Sequence, residues 1–151
     1  MMGVLQEDGS LKLDLDEDGW FHTGDVGRLD ANGMFSIVGR LKDMIIRGGI
    51  NIFPAEIEAV YEQNEDISSC CVVGCPDEDL GERTCLCVIM EPGDQTSARD
   101  LRLWSKGRIE KCKMPDYVLK MKEFPLLGNG KIDKRALRQQ VRACLRGARS
   151  E

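Results

Sequence analysis

Apolar and polar positions change their period several times along the chain, and each change predicts a different element. Two segments, 54–63 and 133–146, repeat apolar residues every three or four positions, which is typical of helices that bury one face. The first opens with Pro54, a residue that the first helical turn tolerates. A further helix over 97–111 is expected to be capped by Ser97. The apolar positions of the first two helices are Ile57, Val60, Tyr61, Leu137, Val141 and Leu145.

Nearly continuous apolar runs predict strands between these helices. Residues 67–73 read ISSCCVV and residues 84–90 read TCLCVIM, and both contain the β-branched residues that strands favour. An acidic turn over 76–81 separates them, and 117–121 resembles a third strand. A short extended segment over 50–53 precedes the first helix. This order predicts an α+β fold whose small mixed sheet, of about three strands, is covered by helices.

The first forty residues predict a β-rich segment of a different kind. A strand over 11–15 lies between two Asp-Gly turns, and a hairpin over 26–38 turns at an Ala-Asn-Gly sequence. Because this segment is too short to be a domain, we interpret residues 1–41 as the end of a larger N-terminal domain that is absent here. Residues 42–146 are expected to form a C-terminal domain, and 147–151 a disordered tail.

Composition and charge narrow the class of protein. The 151 residues are 42% hydrophobic with a net charge of −5, so the chain has material for one modest core and is not expected to hold nucleic acid by bulk charge. No apolar run approaches the roughly eighteen residues of a membrane span, and acidic residues interrupt the beginning, unlike a signal peptide. We therefore expect the protein in the cytoplasm, or in the matrix of an organelle in a eukaryote.

The seven cysteines are odd in number and contain no C-x-x-C pair. This spacing argues against a disulfide framework and against a zinc knuckle. We expect buried reduced thiols and no metal site, because free cysteine packs like a small apolar residue. A redox or metal-binding role is the less favoured alternative.

Several short motifs follow one another in a fixed order. They are GWFHTGD at 19–25, GRLKD at 39–43, RGG at 47–49, PAEIE at 54–58, VVGCPD at 72–77, LGE at 80–82 and GNGK at 128–131. Their succession resembles the adenylate-forming acyl-CoA synthetases, a superfamily that also contains luciferases and the adenylation domains of peptide synthetases. The resemblance covers nearly the whole chain from position 19 to position 137.

The resemblance implies a reaction in two steps. Such enzymes use ATP with Mg²⁺ to convert a carboxylic acid into an acyl-adenylate, release pyrophosphate, and then pass the acyl group to the thiol of coenzyme A. The small C-terminal domain rotates between the steps. The implied partners are the acid, ATP, coenzyme A and the absent N-terminal domain, which is expected to bind most of the Mg²⁺–ATP. This chain alone is therefore expected to be inactive.

Five residues take binding or hinge roles from the resemblance. Asp25 is expected to accept hydrogen bonds from the ribose hydroxyls of the nucleotide, and Arg40 to contact the same side. Lys42 occupies the hinge position, and Gly48 and Gly49 border the tunnel for the pantetheine arm of coenzyme A. Simpler readings stay open: a turn cap and a surface ion pair in the hairpin, an exposed lysine after a strand, and a plain glycine turn.

Lys131 is the candidate catalytic residue of the first step. Attack of a carboxylate on the α-phosphate brings two anions together, and an ammonium group stabilises the charge that develops in the transition state. The preceding Gly128-Asn129-Gly130 sequence favours a flexible loop that lets this side chain reach another domain. The alternative is a basic residue in an ordinary surface turn.

Two alternative functions are compatible with the motifs. One is a fragment of a peptide-synthetase adenylation domain, although such domains usually carry aspartate at the hinge, where this chain has Lys42. The other is a non-catalytic module that kept the fold and lost its substrate domain. The identity of the acid depends on the absent domain.

Overall fold

The structure is a computed structural model that describes residues 4–5, 8–12 and 15–147. The chain divides into two compact units, with the boundary between Lys42 and Asp43. This division falls one residue from the expected domain boundary, and the assignment of the units to domains of a larger protein stays a prediction. The expected disordered tail, 147–151, lies outside the described residues except for Gly147, which ends the last helix.

The first unit contains an antiparallel hairpin, in which β3 (Asp25–Leu29) pairs with β4 (Phe35–Arg40). Its turn is fixed by Asp30, whose carboxylate accepts hydrogen bonds from two backbone amides of the turn, and by Gly33 at φ 79°. Only glycine adopts such a φ without steric cost. The predicted hairpin over 26–38 is therefore confirmed.

A second, smaller pair of strands precedes this hairpin. Strand β1 (Val4–Leu5) pairs with β2 (Leu11–Lys12) in antiparallel fashion. Of the strand predicted over 11–15, β2 covers Leu11–Lys12, positions 13 and 14 lie outside the described residues, and Leu15 forms an isolated bridge with Phe21.

The second unit is built on a mixed sheet of five strands. Adjacent strands in the order β6–β5–β8–β7 are antiparallel. The fifth strand, β9, also pairs with β8 and runs parallel to it. The α+β fold class is confirmed, but the expected count of about three strands was too low, because β5 and β6 have only three residues each. The strands are β5 (Ile45–Arg47), β6 (Ile50–Ile52), β7 (Ile67–Asp77), β8 (Gly81–Met90) and β9 (Tyr117–Lys120).

The two longest strands, β7 and β8, extend beyond their apolar runs. Strand pairing continues to Asp77 and Gly81, which lie opposite each other, so the acidic turn predicted over 76–81 is reduced to residues 78–80. Arg83 donates a hydrogen bond to the Asp77 carboxylate across this end of the ladder. A charge-assisted bond of this kind supports polar residues in strand positions that an apolar pattern does not reveal.

Three α-helices cover the sheet, α1 (Pro54–Tyr61), α2 (Ala98–Trp104) and α3 (Lys134–Gly147). Ser97 caps α2 in a reciprocal capping box with Asp100, as predicted for the cap. The helix is much shorter than the expected 97–111, since Gly107 takes a φ of 83° and residues 111–113 form a separate 3-10 turn. Two short 3-10 turns in all, 41–43 and 111–113, complete the described elements.

The two longest strands, β7 and β8, separate two apolar cores. Alternate residues of a strand point to opposite faces, so one set packs with α1 and α2 and the other with α3. The first core includes Cys70, Val72, Leu86 and Val88 with Ile57, Tyr61 and Leu101. The second includes Cys71, Val73, Cys75, Cys85 and Cys87 with Leu137 and Val141.

Most of the cysteines are buried free thiols, as predicted. Five lie in the two cores, whereas Cys112 is half-buried and Cys144 is exposed, which the sequence reading did not distinguish. Burial raises the pKa of Cys70 and of Cys71 to about 12. In the part of the chain that the structure describes, no three Cys, His, Asp or Glu side chains are grouped so as to hold a metal ion.

Candidate functional site

Asp25 and Arg40 lie at the open end of the first unit's hairpin, where the strand register places them opposite each other. The Arg40 Nε atom is 2.9 Å from Asp25 Oδ1, and the side chains are 53% and 30% exposed. The sequence therefore paired them correctly in space. In this structure they form the surface ion pair of the simpler reading, with polar atoms still accessible to a ligand.

Lys42 lies at the boundary between the two units. The preceding residue, Leu41, donates its amide to the carbonyl of Gly24 within the first unit (2.8 Å). The following residue, Asp43, pairs with Arg138 of α3 within the second unit (3.7 Å). Lys42 itself is exposed. Each neighbour is thus held by a different unit.

Gly48 and Gly49 form the two-residue turn of the β5–β6 hairpin, between the paired residues Arg47 and Ile50. Their φ values are 55° and 82°. Positive φ at both central residues defines the hairpin turn that matches strand twist, which explains two glycines without a ligand. The Gly48 amide also donates to the carbonyl of Leu80 (2.8 Å).

The two glycines differ in how close a neighbouring side chain comes to them. A Cβ at Gly48 is placed 3.3 Å from Leu80 Cδ2, whereas a Cβ at Gly49 meets nothing within 4 Å. Gly49 is therefore required by its backbone angle alone, and its outer side is open.

An ionic network beside this turn was not found by sequence reasoning. Arg47 donates to both carboxylate oxygens of Asp116, Nε to Oδ2 at 2.9 Å and Nη2 to Oδ1 at 2.8 Å. Asp116 also accepts from the amide and hydroxyl of Thr84, and Arg83 lies 3.5 Å away. Burial works to raise the pKa of Asp116, but the hydrogen bonds from Arg47 and Thr84 outweigh it and hold that pKa below the ordinary value.

Lys131 is the last residue of a tight turn and directly precedes Ile132, which forms a β-bridge with Leu126. Its amide donates to the side chain of Asn129 (3.1 Å), and its carbonyl accepts from Leu127 (2.8 Å). The loop forms the expected turn, in which hydrogen bonds hold the backbone, and its flexibility stays a prediction. The Lys131 side chain is exposed and makes no hydrogen bond or ion pair with any described residue.

The neighbouring Lys134, unlike Lys131, forms an ion pair within the unit. Lys134, three residues further on, lies 3.5 Å from the carboxylate of Glu58, which in turn accepts a hydrogen bond from the amide of Val72 (2.7 Å). This lysine therefore joins α3 to α1 and β7. Of these two lysines, only Lys131 has an ammonium group available to a ligand.

The candidate residues thus fall on three separate elements. Asp25 and Arg40 belong to the hairpin of the first unit, while Gly48 and Gly49 belong to the β5–β6 turn and Lys131 to the loop before α3. The second unit therefore presents two distinct candidate sites on different loops.

No helix in residues 4–5, 8–12 and 15–147 is long and apolar enough to cross a membrane.

Known proteins are similar to this chain in sequence and in fold. The family model for the AMP-binding enzyme C-terminal domain matches residues 56–131. The medium-chain acyl-CoA ligase ACSF2, mitochondrial, of Bos taurus is 38% identical over 93% of this chain and 23% of its own length. The putative acyl-CoA synthetase YngI of Bacillus subtilis is 37% identical over 93% of this chain and 26% of its own length.

The structure of ATP-bound MatB from Rhodopseudomonas palustris superposes with a TM-score of 0.79 at 31% identity, over 93% of this chain and 28% of that one. The fold is therefore of the type found in AMP-binding enzymes. The chain belongs to the AMP-binding enzyme C-terminal domain family. It spans about a quarter of the length of the curated relatives it matches.

Proposed function

We propose that this chain is the C-terminal portion of an AMP-forming acyl-CoA ligase. The observation that carries the proposal is the Lys131 ammonium group, which has no partner among the described residues and belongs to the last residue of a hydrogen-bonded turn. A fixed backbone with a free cation suits a group that must meet an anionic transition state on another domain, since preorganised charge costs little reorganisation during the reaction. The similarity to acyl-CoA ligases supports the same reaction class.

The two candidate sites of the second unit serve different half-reactions. Lys131 acts in adenylation, where the carboxylate of the acid attacks the α-phosphate of ATP and pyrophosphate leaves. The Gly48–Gly49 turn acts in thioester formation, where the thiol of coenzyme A attacks the acyl-adenylate and AMP leaves. Because these loops are separate elements, rotation of the unit about Lys42 presents them in turn, as hinges at element ends permit.

Asp25 and Arg40 bind the ribose side of the nucleotide. Asp25 offers carboxylate lone pairs to the ribose hydroxyls, and Arg40 offers donors beside it. On the family resemblance, we assign the Mg²⁺ that accompanies ATP mainly to the N-terminal domain. A location in the cytoplasm or in an organelle matrix is proposed, the latter because the bovine relative is a mitochondrial protein by name.

The test is Lys131→Ala in the full-length ligase that contains this chain, with acids of medium chain length tried first. Adenylation, measured by ATP–pyrophosphate exchange, is expected to fall by about 100-fold or more, as for loss of one transition-state donor. Thioester formation from preformed acyl-adenylate should change by less than about 3-fold, because that step does not use this ammonium group.

The matched control is Lys122→Ala, which removes another exposed lysine of the same unit and should leave both steps unchanged. Equal losses in the two steps for Lys131→Ala contradict its role. A full-length protein that forms no adenylate from any acid supports the non-catalytic alternative instead.

A further inference from the structure

We propose that Arg47 and Asp116 are positioning residues for thioester formation: their ion pair holds the Gly48–Gly49 turn in the place where the thiol arm of coenzyme A passes. This inference rests on the proposed function of that turn. Neither residue is expected to touch the substrate, and both act through the backbone of the turn.

The β5–β6 hairpin needs such support because its own attachment is slight. Each strand has three residues, and β5 pairs with β8 at a single register position, Arg47 opposite Gly81. An isolated two-stranded hairpin is marginally stable in water. The buried side chains of Ile45 and Ile52 fix its base, whereas the turn at its other end depends on polar contacts.

The Arg47–Asp116 pair is well suited to hold the turn. Its two parallel hydrogen bonds, 2.9 and 2.8 Å long, form the bidentate arrangement that gives direction as well as energy. The side chains are only 23% and 10% exposed, so water competes weakly. Asp116 is anchored independently by Thr84 of β8, and Arg47 directly precedes the two glycines.

A second ion pair is connected to the turn through Leu80. The Gly48 amide donates to the carbonyl of Leu80, and the Leu80 amide donates in turn to the carboxylate of Asp77 (3.1 Å). Arg83 donates to the same carboxylate, and its hydrogen bond is the main reason that the pKa of Asp77 is lowered. Hydrogen bonds therefore link the glycine turn to the Arg83–Asp77 pair through Leu80, and Arg83 also lies 3.5 Å from Asp116.

The Lys131 loop is outside this network. Its described hydrogen bonds run within 125–133, and none reaches Arg47 or Asp116. Loss of the ion pair should therefore disturb the thioester step and spare adenylation, which is the reverse of the effect expected for Lys131→Ala.

The first arm of the experiment uses the full-length ligase with Arg47→Met. Thioester formation from preformed acyl-adenylate is expected to fall by about 10-fold or more, with a raised KM for coenzyme A, because small displacements of a positioning element are costly. ATP–pyrophosphate exchange should stay within about 2-fold, since that step does not use the turn. Arg47→Lys should recover part of the loss, because an ammonium group pairs with Asp116 but lacks the planar fork.

The matched control is Lys113→Met, which removes the ion pair with Glu56 (3.3 Å) from a lysine that is 22% exposed, much like Arg47. It should leave the ratio of the two steps unchanged. A purely structural role for Arg47 predicts equal losses in both steps and no selective rise in KM, and that result overturns the proposal.

The second arm measures amide hydrogen exchange in this 151-residue chain and does not depend on activity. Asp116→Asn should accelerate exchange at Gly48, whose amide is bonded to Leu80, and leave Gly130, bonded to Leu127, unchanged. Equal exchange at Gly48 in both proteins overturns the proposal, even where a variant ligase is inactive. Failure of the proposed function has another signature, namely absence of adenylation in the unmodified full-length protein.

Discussion

At the scale of single residues, the buried cysteines act as packing groups. Cys71 of β7 and Cys87 of β8 lie opposite each other, and both belong to the core beneath α3. Burial is the main cause of the raised pKa of Cys71, and a protonated thiol is a poor nucleophile. Reactivity should therefore follow exposure.

We predict that only two of the seven thiols react rapidly in the native chain at pH 8. Cys144 is exposed and Cys112 half-buried, while the other five are buried. Titration with a chromogenic disulfide reagent should show two fast thiols per chain, and all seven after unfolding. The Cys144→Ser variant should lose one fast thiol, whereas Cys71→Ser should lose none; four or more fast thiols contradict the packing role.

The residue-scale predictions from sequence succeeded where the informative signal was local. Asp25 and Arg40 belong to motifs at the two ends of one hairpin, so their pairing follows from the register. Asp116 carries no such signal, because 69 positions separate it from Arg47. Its role depends on the parallel placement of β9 beside β8, which no periodicity within one segment reveals.

At the scale of elements, the glycine turn is the most constrained piece of backbone in the candidate site. Both glycines require positive φ, but only Gly48 also faces a side chain, that of Leu80. Backbone strain and side-chain crowding can therefore be separated by substituting the two positions in turn.

Gly49→Ala is expected to lower the free energy of unfolding by about 1 kcal/mol, the typical cost of placing an L side chain in the left-handed region. Gly48→Ala should cost more, since its Cβ also lies 3.3 Å from Leu80 Cδ2. Urea unfolding of the two variants measures the difference. Gly49→Asn serves as the control and should recover part of the loss, because asparagine tolerates this conformation; a stabilising Gly48→Ala contradicts the account.

Long elements were predictable, and short or interrupted ones were not. Strands β7 and β8 contain apolar runs long enough to be recognised, whereas β5 contributes a single buried residue, Ile45, to the core. The helix predicted over 97–111 was too long because its pattern continued through Gly107, where the backbone turns. Strand pairing and backbone φ angles, rather than composition, determine whether β5 forms and where the helix ends.

At the scale of the whole molecule, the chain corresponds to the smaller part of its relatives, about a quarter of their length. Under the proposed function, most of the groups that bind ATP and the acid belong to the N-terminal domain. We interpret the chain as a folded unit that contributes groups to a reaction centred elsewhere.

The purified 151-residue chain is therefore expected to show no ATP–pyrophosphate exchange with any carboxylic acid. Most of the ATP-binding and acid-binding groups are assigned to the other domain, so neither substrate is held in place. Radiolabelled pyrophosphate incorporation into ATP provides the measurement, and the full-length ligase is the positive control. Turnover by the chain alone contradicts its assignment as a module dependent on that domain.

The hydrogen bond of Leu41 and the ion pair of Asp43 leave a single residue between two anchored neighbours. Consecutive Cα atoms stand about 3.8 Å apart, so this connection has almost no slack. The torsion angles at Lys42 can change, but the two anchored residues on either side of it cannot move apart. The length of the connection should therefore be under stricter constraint than the chemical nature of its exposed side chain.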